Sequence, residues 1–401
     1  METSMDCLFR YPGYELPLKD IIRSENCYLY DADGNRYVDL ESGVWCTAIG
    51  HGHPRVLKVM NEQSGRIAHT GFTYTSRIVD EAAHAILALH GFESGQCAFL
   101  SSGSEAVEYG VRLAQAINSL PMMLTMADSY FGAYGAASAR PAETWFSFDW
   151  MACANCDFDA DCSDSCGRWA AIPFDQIGGF LFEPGSSSGL VRFPPEKLVR
   201  SIAAAIKAQN GLILVNEVTT GVGRTGKWFG YQHYGIQPDI VAMGKGIGNG
   251  YPVSVTAVSR QVAEKVAHSG FKYAQSHQND PLGAAIALEV VRIIDEEGLV
   301  ARGKEMGAIL LDGLQTIQTR TKAIRSIRAR GLMLAVDLED NDNSDITRAV
   351  QQELVRKGYI LARRPGLNTL RIDPSLTIEK QDIENFLAVL EKTLIQFQNL
   401  R

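Results

Sequence analysis

Lys245 is the residue whose surroundings most clearly invite chemistry. It stands in Gly244-Lys245-Gly246-Ile247-Gly248-Asn249-Gly250, directly after the run Asp239-Ile-Val-Ala-Met243. A strand end gives a lysine a fixed base, and glycines let a bulky ligand approach the backbone. Burial lowers a lysine pKa and frees the amine to form a Schiff base. A surface turn with a solvated lysine fits this motif alone equally well. Ser101-Ser-Gly-Ser-Glu105 follows a run ending at Leu100. A small-residue turn that opens a helix presents free N–H groups and the positive dipole end, which suits a phosphate. Ser and Gly also cap helices for structural reasons alone.

A third stretch, Leu212-Ile-Leu-Val-Asn216-Glu-Val-Thr-Thr-Gly-Val-Gly-Arg-Thr-Gly226-Lys227-Trp228, imitates two nucleotide motifs. Gly221 to Gly226 fits GxGxxG, and with Lys227 it mimics a P-loop. Trp228 stands where the magnesium-binding hydroxyl must be, and a Trp-Phe-Gly sequence starts a helix poorly. The glycines do not sit at a direct junction of strand and helix. Both readings are rejected.

Cys153, Cys156, Cys162 and Cys166 are half of the eight cysteines and are spaced C-x2-C-x5-C-x3-C. Four thiolates this close in sequence can surround one tetrahedral zinc, or an iron–sulfur cluster. The segment is polar with little to bury, and a metal can order such a loop. Free thiols or disulfides are the alternatives. Asp157, Asp159, Asp161 and Asp164 resemble a calcium loop, but no Gly or terminal Glu sits correctly for one.

The elements that must position these residues alternate between strand and helix from about residue 96, an α/β pattern. Short apolar runs are Cys97–Leu100, Met122–Met126, Gly179–Phe182, Leu212–Val215 and Ile240–Met243. Val107, Val111, Ala114 and Ile117 keep helical spacing between two of them. Asp280 can cap a helix with Pro281 in its first turn, running to Glu297 with Gly298 to end it. Tyr28 and Tyr30 precede an Asp31-Ala-Asp-Gly34 turn, and Tyr37 and Val38 follow it. Ile324–Leu338 and Tyr359–Ile372 read as strands, and Ile383, Phe386, Leu387, Leu390 and Leu394 form a helical stripe. The expected architecture is a large domain over 51–298 with a mostly parallel central sheet flanked by helices. A small α+β domain comes from both chain ends, 1–50 and 299–401. A Cys-rich loop insertion spans 150–168.

A chain of 401 residues exceeds one small core. Hydrophobic residues at 46% and charged residues at 21% exclude a mostly disordered chain. The net charge of −8 argues against nucleic acid as a partner, since phosphate binding needs a basic face. No apolar run is long enough to span a membrane. Met1 to Gly13 lack the apolar stretch of a secretion signal, so a cytoplasmic location with reduced thiols is expected.

Taken together, these motifs resemble the class III aminotransferases, pyridoxal-phosphate enzymes of fold type I. Ser42-Gly-Val-Trp-Cys46 leading to Gly50-His-Gly-His-Pro54 matches that family's N-terminal signature. Ser102-Gly-Ser-Glu-Ala106 matches its phosphate turn, Tyr130-Phe-Gly132 its aromatic segment, and Glu183-Pro184 its Glu-Pro pair. Asn216 to Gly226 matches its Asp-Glu-Val…Gly-Arg-Thr-Gly block, and Asn279-Asp-Pro-Leu282 its helix start. The resemblance implies a Schiff base between Lys245 and pyridoxal phosphate, with Lys245 then moving the substrate proton. Gly103 and Ser104 would bind the phosphate, while Tyr130 and Val218 would cover the two faces of the ring. Ser276 would reach the phosphate of a second subunit, which implies a homodimer. Arg371 would clamp a substrate carboxylate, with a surface arginine on a strand as the alternative. Trp45 resembles the pocket aromatic of the amine-accepting branch, or is a core residue. The implied substrates are an amine or amino acid and a 2-oxo acid. A racemase, aminomutase or lyase on the same Lys245 is the rival reading.

Two positions depart from the family. Asn216 stands where the family has an Asp whose charge keeps the ring nitrogen protonated, and a protonated ring is the better electron sink. An amide supplies no charge, which implies a weaker sink. On this basis Asn216→Asp is expected to speed half-transamination in single-turnover kinetics. Thr219 stands where many relatives have a Gln. For the thiols, metal analysis of protein purified without chelator is expected to find zinc. Less than about one-tenth equivalent of zinc and iron per chain would sink a four-thiolate site.

Overall fold

The computed structural model describes residues 8–9, 18–71, 73–156, 161–339 and 345–398. Its large sheet contains β1 (Gln96–Leu100), β2 (Met122–Met126), β3 (Trp145–Phe148), β4 (Ile177–Phe182), β5 (Leu212–Asn216), β6 (Ile240–Met243) and β7 (Ser254–Val258). The strands lie in the order β1-β7-β6-β5-β4-β2-β3. β7 runs antiparallel to both neighbours, and the other pairings are parallel. Successive residues of a strand point to opposite faces. Accordingly Phe180, Phe182, Ile213 and Val215 join one apolar core, while Leu181, Leu212, Leu214 and Ala242 join another. Both faces are covered, so the central strands read as continuous apolar runs rather than as an alternation.

Five of the seven strands fall on the runs marked in the sequence. β3 and β7 do not. In β7, Ser254 and Thr256 replace apolar residues and donate to the Ser102 and Ala106 carbonyls of the neighbouring helix, at 2.7 and 2.8 Å. Hydroxyls that satisfy backbone carbonyls let a polar sequence form an interior strand.

The helix Pro281–Glu296 is buried nearly all round and packs on helices Pro54–Arg66 and Arg77–His90. Asp280 occupies its N-cap position but does not cap it. Its two carboxylate oxygens accept instead from His69 and His277, each at 2.6 Å. Two smaller sheets use the rest of the chain. One holds Ile21–Glu25, Tyr28–Asp31 and Arg36–Asp39, with Tyr359–Ile360 parallel to the last of these. The other is antiparallel, with Ile324–Arg330, Met333–Leu338, Thr369–Ile372 and Ala362–Arg363 in that order. The stripe of Ile383, Phe386, Leu390 and Leu394 is the buried side of the helix Lys380–Gln398. No helix among the described residues is long and apolar enough to cross a membrane.

The loop after β5 is bolted to the C-terminal strands. Arg224 is fully buried, and its Nη1 donates to the carbonyls of Leu332, at 3.0 Å, and of Pro374. Leu332 N–H returns a bond to the Arg224 carbonyl at 3.0 Å. Gly331, in the left-handed region at φ +54°, lies so close that a Cβ would meet Gly226 N at 2.5 Å. Gly307 closes the other side, where a Cβ would meet the Gly331 carbonyl oxygen at 2.3 Å. Backbone cannot yield there as a flexible side chain would. Gly307→Ala is therefore expected to cost about 1–3 kcal/mol in urea unfolding, the usual range for overpacking. An unchanged midpoint would contradict this contact.

Candidate functional site

Residues from five strand ends meet at one edge of the sheet. Ser101 follows β1, Tyr130 lies just past β2, Glu183 follows β4, Asn216 ends β5, and Lys245 lies just past β6. Ligands of open α/β sheets bind at such carboxyl ends. A cavity of about 160 Å³ is lined there by Gly103, Ser104, Tyr130, Asn216, Val218 and Lys245, among others. Six sequence-selected residues thus converge. Ser276 does not line this cavity: it is exposed, in the turn before Pro281.

The turn after β1 is a helix start with two amides to spare. Ser102 caps Gly103–Ile117 in a capping box, its hydroxyl accepting from Glu105 N–H. Glu105 carboxylate accepts from the Ser101 and Ser102 N–H groups, at 2.9 and 2.8 Å. The N–H groups of Gly103 and Ser104 have no acceptor within the helix and lie at its positive end. Ser104 Oγ accepts from Ala133 N–H at 3.0 Å, which leaves its proton available to donate. Close packing requires the glycines. A Cβ on Gly103 would meet Val218 Cγ1 at 2.6 Å, and one on Gly132, at φ +116°, would meet Ser104 Oγ at 2.5 Å. This is an anion cradle with backbone and hydroxyl donors.

Lys245 takes φ +48° and Trp45 φ +64°, both in the left-handed region that non-glycine residues rarely occupy. Such backbone persists only where the surroundings over-determine it, and it clusters at functional sites. Lys245 Nζ donates to Thr219 Oγ1 at 2.8 Å and lies 4.6 Å from the Trp45 ring centroid. Burial pushes its pKa down from 10.5 to about 8, against the pull of Cys46 and Glu183. Arg371 guanidinium lies 3.7 Å from the same indole. Trp45 is thus a core residue and a site residue at once, buried and in contact with both cations.

Arg371 is not a surface arginine. It is buried and flanked by Glu41 at 3.5 Å and Asp373 at 3.6 Å. Burial raises the Asp373 carboxyl to about 6, partly countered by Arg371 and Arg224. Burial likewise raises Glu41, with Arg371 opposing. Neither acid was singled out in the sequence. Asp373 lies one residue past the strand that carries Arg371, so its sequence neighbourhood alone could have pointed to it. Glu41 is distant in sequence and carried no signal.

Tyr130 is held by its backbone. Its N–H donates to Glu183 Oε2 at 3.0 Å, and its carbonyl accepts from Asn216 Nδ2 at 3.0 Å. Burial raises Glu183 to about 7, with the bonds from Ser187 and Tyr130 pulling it back down.

The cysteines form a neighbourhood rather than a finished centre. Cys153, Cys162 and Cys166 pack against the core, and all four thiols are free. Burial raises the Cys153 thiol, and Cys162, Cys166 and Cys156 raise it further. The expected ligand sphere is not drawn together. Among the described residues, the one group of three potential metal ligands with donor atoms within 4.8 Å of one another is His69, His277 and Asp280. Residues 157–160 of the Cys-rich segment lie outside the described residues.

Comparison with known proteins decides the family. The model for "Aminotransferase class-III" matches residues 12–140 and 153–394. The chain belongs to the class III aminotransferases. It is 27% identical to a leucine/methionine racemase of Thermococcus litoralis, over 95% of this chain and 91% of that one. It is 26% identical to an acetylornithine aminotransferase of Caldanaerobacter subterraneus subsp. tengcongensis, over 98% of both. An S-selective transaminase from Bacillus megaterium superposes with a TM-score of 0.86 at 23% identity, over 98% of this chain and 97% of that one. This class III enzyme therefore uses pyridoxal phosphate to transfer an amino group between an amine or amino acid and a 2-oxo acid.

The depressed lysine pKa has a sign that can be checked. Below about pH 8 the Lys245 amine is charged and unreactive, and above it the free amine dominates. Condensation of apoprotein with added pyridoxal is expected to rise with pH to a midpoint near 8, and to vanish in Lys245→Ala. A midpoint near the ordinary lysine value of about 10.4 would show that burial does not act on this amine.

Proposed function

We propose that Lys245 is the residue that binds the cofactor and then carries the substrate proton, in a site built for amino compounds bearing a carboxylate. The observation that carries this is the placement of a depressed lysine amine in one cavity with an anion cradle, and against the same Trp45 ring as a buried arginine. The fit to pyridoxal phosphate rests on the cradle: Gly103 and Gly132 let Val218 and Ser104 pack in close, beside the free Gly103 and Ser104 donors. When bound, that cofactor supplies an aldehyde for the amino group and a conjugated ring that draws electrons from the substrate Cα.

The chain's residues do the rest. Gly103 and Ser104 hold the phosphate, and Tyr130 and Val218 enclose the ring. With its amine free, Lys245 would take the proton from the substrate carbon. It returns that proton on the other side of the transfer. Thr219 orients its amine through the 2.8 Å bond. Arg371 takes the substrate carboxylate in place of Glu41, and Trp45 gives an apolar wall to the rest of the donor. Because Arg371 already pairs with two acids, a carboxylate must displace Glu41 to enter.

The wider assembly follows the same reading. The small domain, 1–50 with 299–401, and the large one, 51–298, face each other across the site. A homodimer is supported by the exposure of Ile22, Leu57, Tyr74, Tyr130 and Tyr134, and of Ser276, which does not line the Lys245 cavity. Ser276 then serves the partner's phosphate. A cytoplasmic location is supported by the free thiols. Zinc at Cys153, Cys156, Cys162 and Cys166 is supported by donor chemistry alone and requires the metal to draw the sulfurs together. A racemase reading is favoured by Asn216, whose neutral side chain weakens the electron sink.

Purified enzyme is expected to show a visible cofactor band that borohydride bleaches and Lys245→Ala lacks. A panel of amine donors, followed by pyridoxamine formation with product chirality recorded, separates transfer from racemisation. Donors with a carboxylate are expected to lose about tenfold or more in kcat/KM in Arg371→Ala, the loss of one charge-assisted contact. Uniform loss across donors with and without a carboxylate would remove Arg371 from substrate recognition.

A further inference from the structure

Asn216 is buried at the end of β5, and both ends of its amide are committed to backbone. Nδ2 donates to the Tyr130 carbonyl at 3.0 Å, and Oδ1 accepts from Val218 N–H at 3.1 Å. A backbone carbonyl only accepts and a backbone N–H only donates, so these partners fix which way the amide is turned. A carboxylate there would keep the Val218 bond but set an anionic oxygen against the Tyr130 carbonyl oxygen. Tyr130 is anchored on its other side as well, where its N–H donates to Glu183. The position is built for an amide. The gain expected from Asn216→Asp on sequence grounds is therefore withdrawn, since the new acid would enter against a fixed acceptor.

The rest of the cavity agrees. Of the residues lining it, Lys245 alone carries a charge. The nearby carboxylates are engaged elsewhere. Glu183 accepts from Tyr130 and Ser187. Glu217 accepts from Gly230, Tyr231 and Thr220. Asp373 and Glu41 pair with Arg371. Burial holds the Cys46 thiol above its ordinary pKa, and therefore neutral. A buried cation without a counter-charge is costly, whereas a neutral ring nitrogen is an ordinary acceptor.

We propose that Asn216 donates its second Nδ2 hydrogen to the cofactor's pyridine nitrogen and holds that nitrogen unprotonated. The inference rests on the reading of this cavity as the pyridoxal-phosphate site. It reverses the usual pairing of the family, in which a carboxylate holds a protonated ring. A neutral ring draws electrons from the substrate Cα less strongly, so more of the work of proton removal falls on Lys245 and Thr219.

The test uses holoenzyme reconstituted with pyridoxal phosphate carrying 15N at the ring nitrogen. The expected 15N resonance is that of a free pyridine across neutral pH, and a pyridinium resonance in the wild-type enzyme overturns the proposal. A second measurement needs no cofactor. Apoprotein Asn216→Asp is expected to melt several degrees below wild type, and Asn216→Ser by less. An Asp variant as stable as wild type overturns the amide lock. Failure of the protein to take up the cofactor at all would defeat the reading of the cavity itself, and is told apart by the missing visible band.

Discussion

The site depends on one buried guanidinium. Asn216 ends a strand of the large sheet, and Lys245 and the cradle follow others, whereas Arg371 lies on the C-terminal sheet and Asp373 just past the end of that strand. Arg224 joins the two by donating to the Leu332 and Pro374 carbonyls, the second immediately after Asp373. A charge so deeply buried needs acids near it, the more so because only Nη1 finds carbonyls and Nη2 has no hydrogen-bond partner among the described residues. Here Asp373 and Asp39 oppose the burial that otherwise lowers its pKa. Close backbone approach at Gly226, Gly331 and Gly307 fixes the spacing, so the distance between the two halves of the site is set by packed backbone. The Gly-Arg-Thr-Gly that imitates a phosphate loop in sequence is a strap.

A second constraint ties the cofactor face together. Glu183, Tyr130, Asn216 and Val218 form one run of hydrogen bonds in which backbone and side chain alternate. Each member fixes the next. The Tyr130 ring is left free to face the cavity because its main chain carries the restraint. Such polar runs in a low dielectric are strong when every member is paired and costly when one is not. Exchange at Asn216 is therefore expected to reach Tyr130, a residue from the loop that follows a different strand.

Much of this was legible in the sequence, for identifiable reasons. β4, β5 and β6 are covered on both faces, so continuous apolar runs marked them. Lys245 stood out because four glycines lie close to it, and each has a reason: an added Cβ would come to 3.2 Å from Gly103 Cα at Gly244, 3.1 Å from Ala48 Cβ at Gly246 and 2.9 Å from Val253 Cγ1 at Gly248, while Gly250 takes φ +94°. β7 was hidden because its hydroxyls satisfy helix carbonyls, an arrangement that hydrophobic periodicity cannot register. Glu41 was hidden because its pairing with Arg371 spans most of the chain and follows no local spacing. Asp280 was placed correctly but given the wrong task, since two histidines outcompete the helix N-terminus for its oxygens.

The electrostatics of the cavity then follow from what it excludes. Every carboxylate near Lys245 is engaged by a backbone N–H, a hydroxyl or an arginine, and none lines the cavity itself. With no carboxylate lining the cavity, burial outweighs the pull of Cys46, Glu183 and Asp373 on the lysine ammonium, and the amine becomes free above about pH 8. The same absence acts on whatever ring occupies the cavity. One charge-poor wall thus serves two ends: it readies the lysine as a nucleophile and base, and it denies the ring nitrogen a counter-ion. A carboxylate at position 216 would help the ring and hold the lysine proton more tightly, so the amide and the depressed lysine belong to one design.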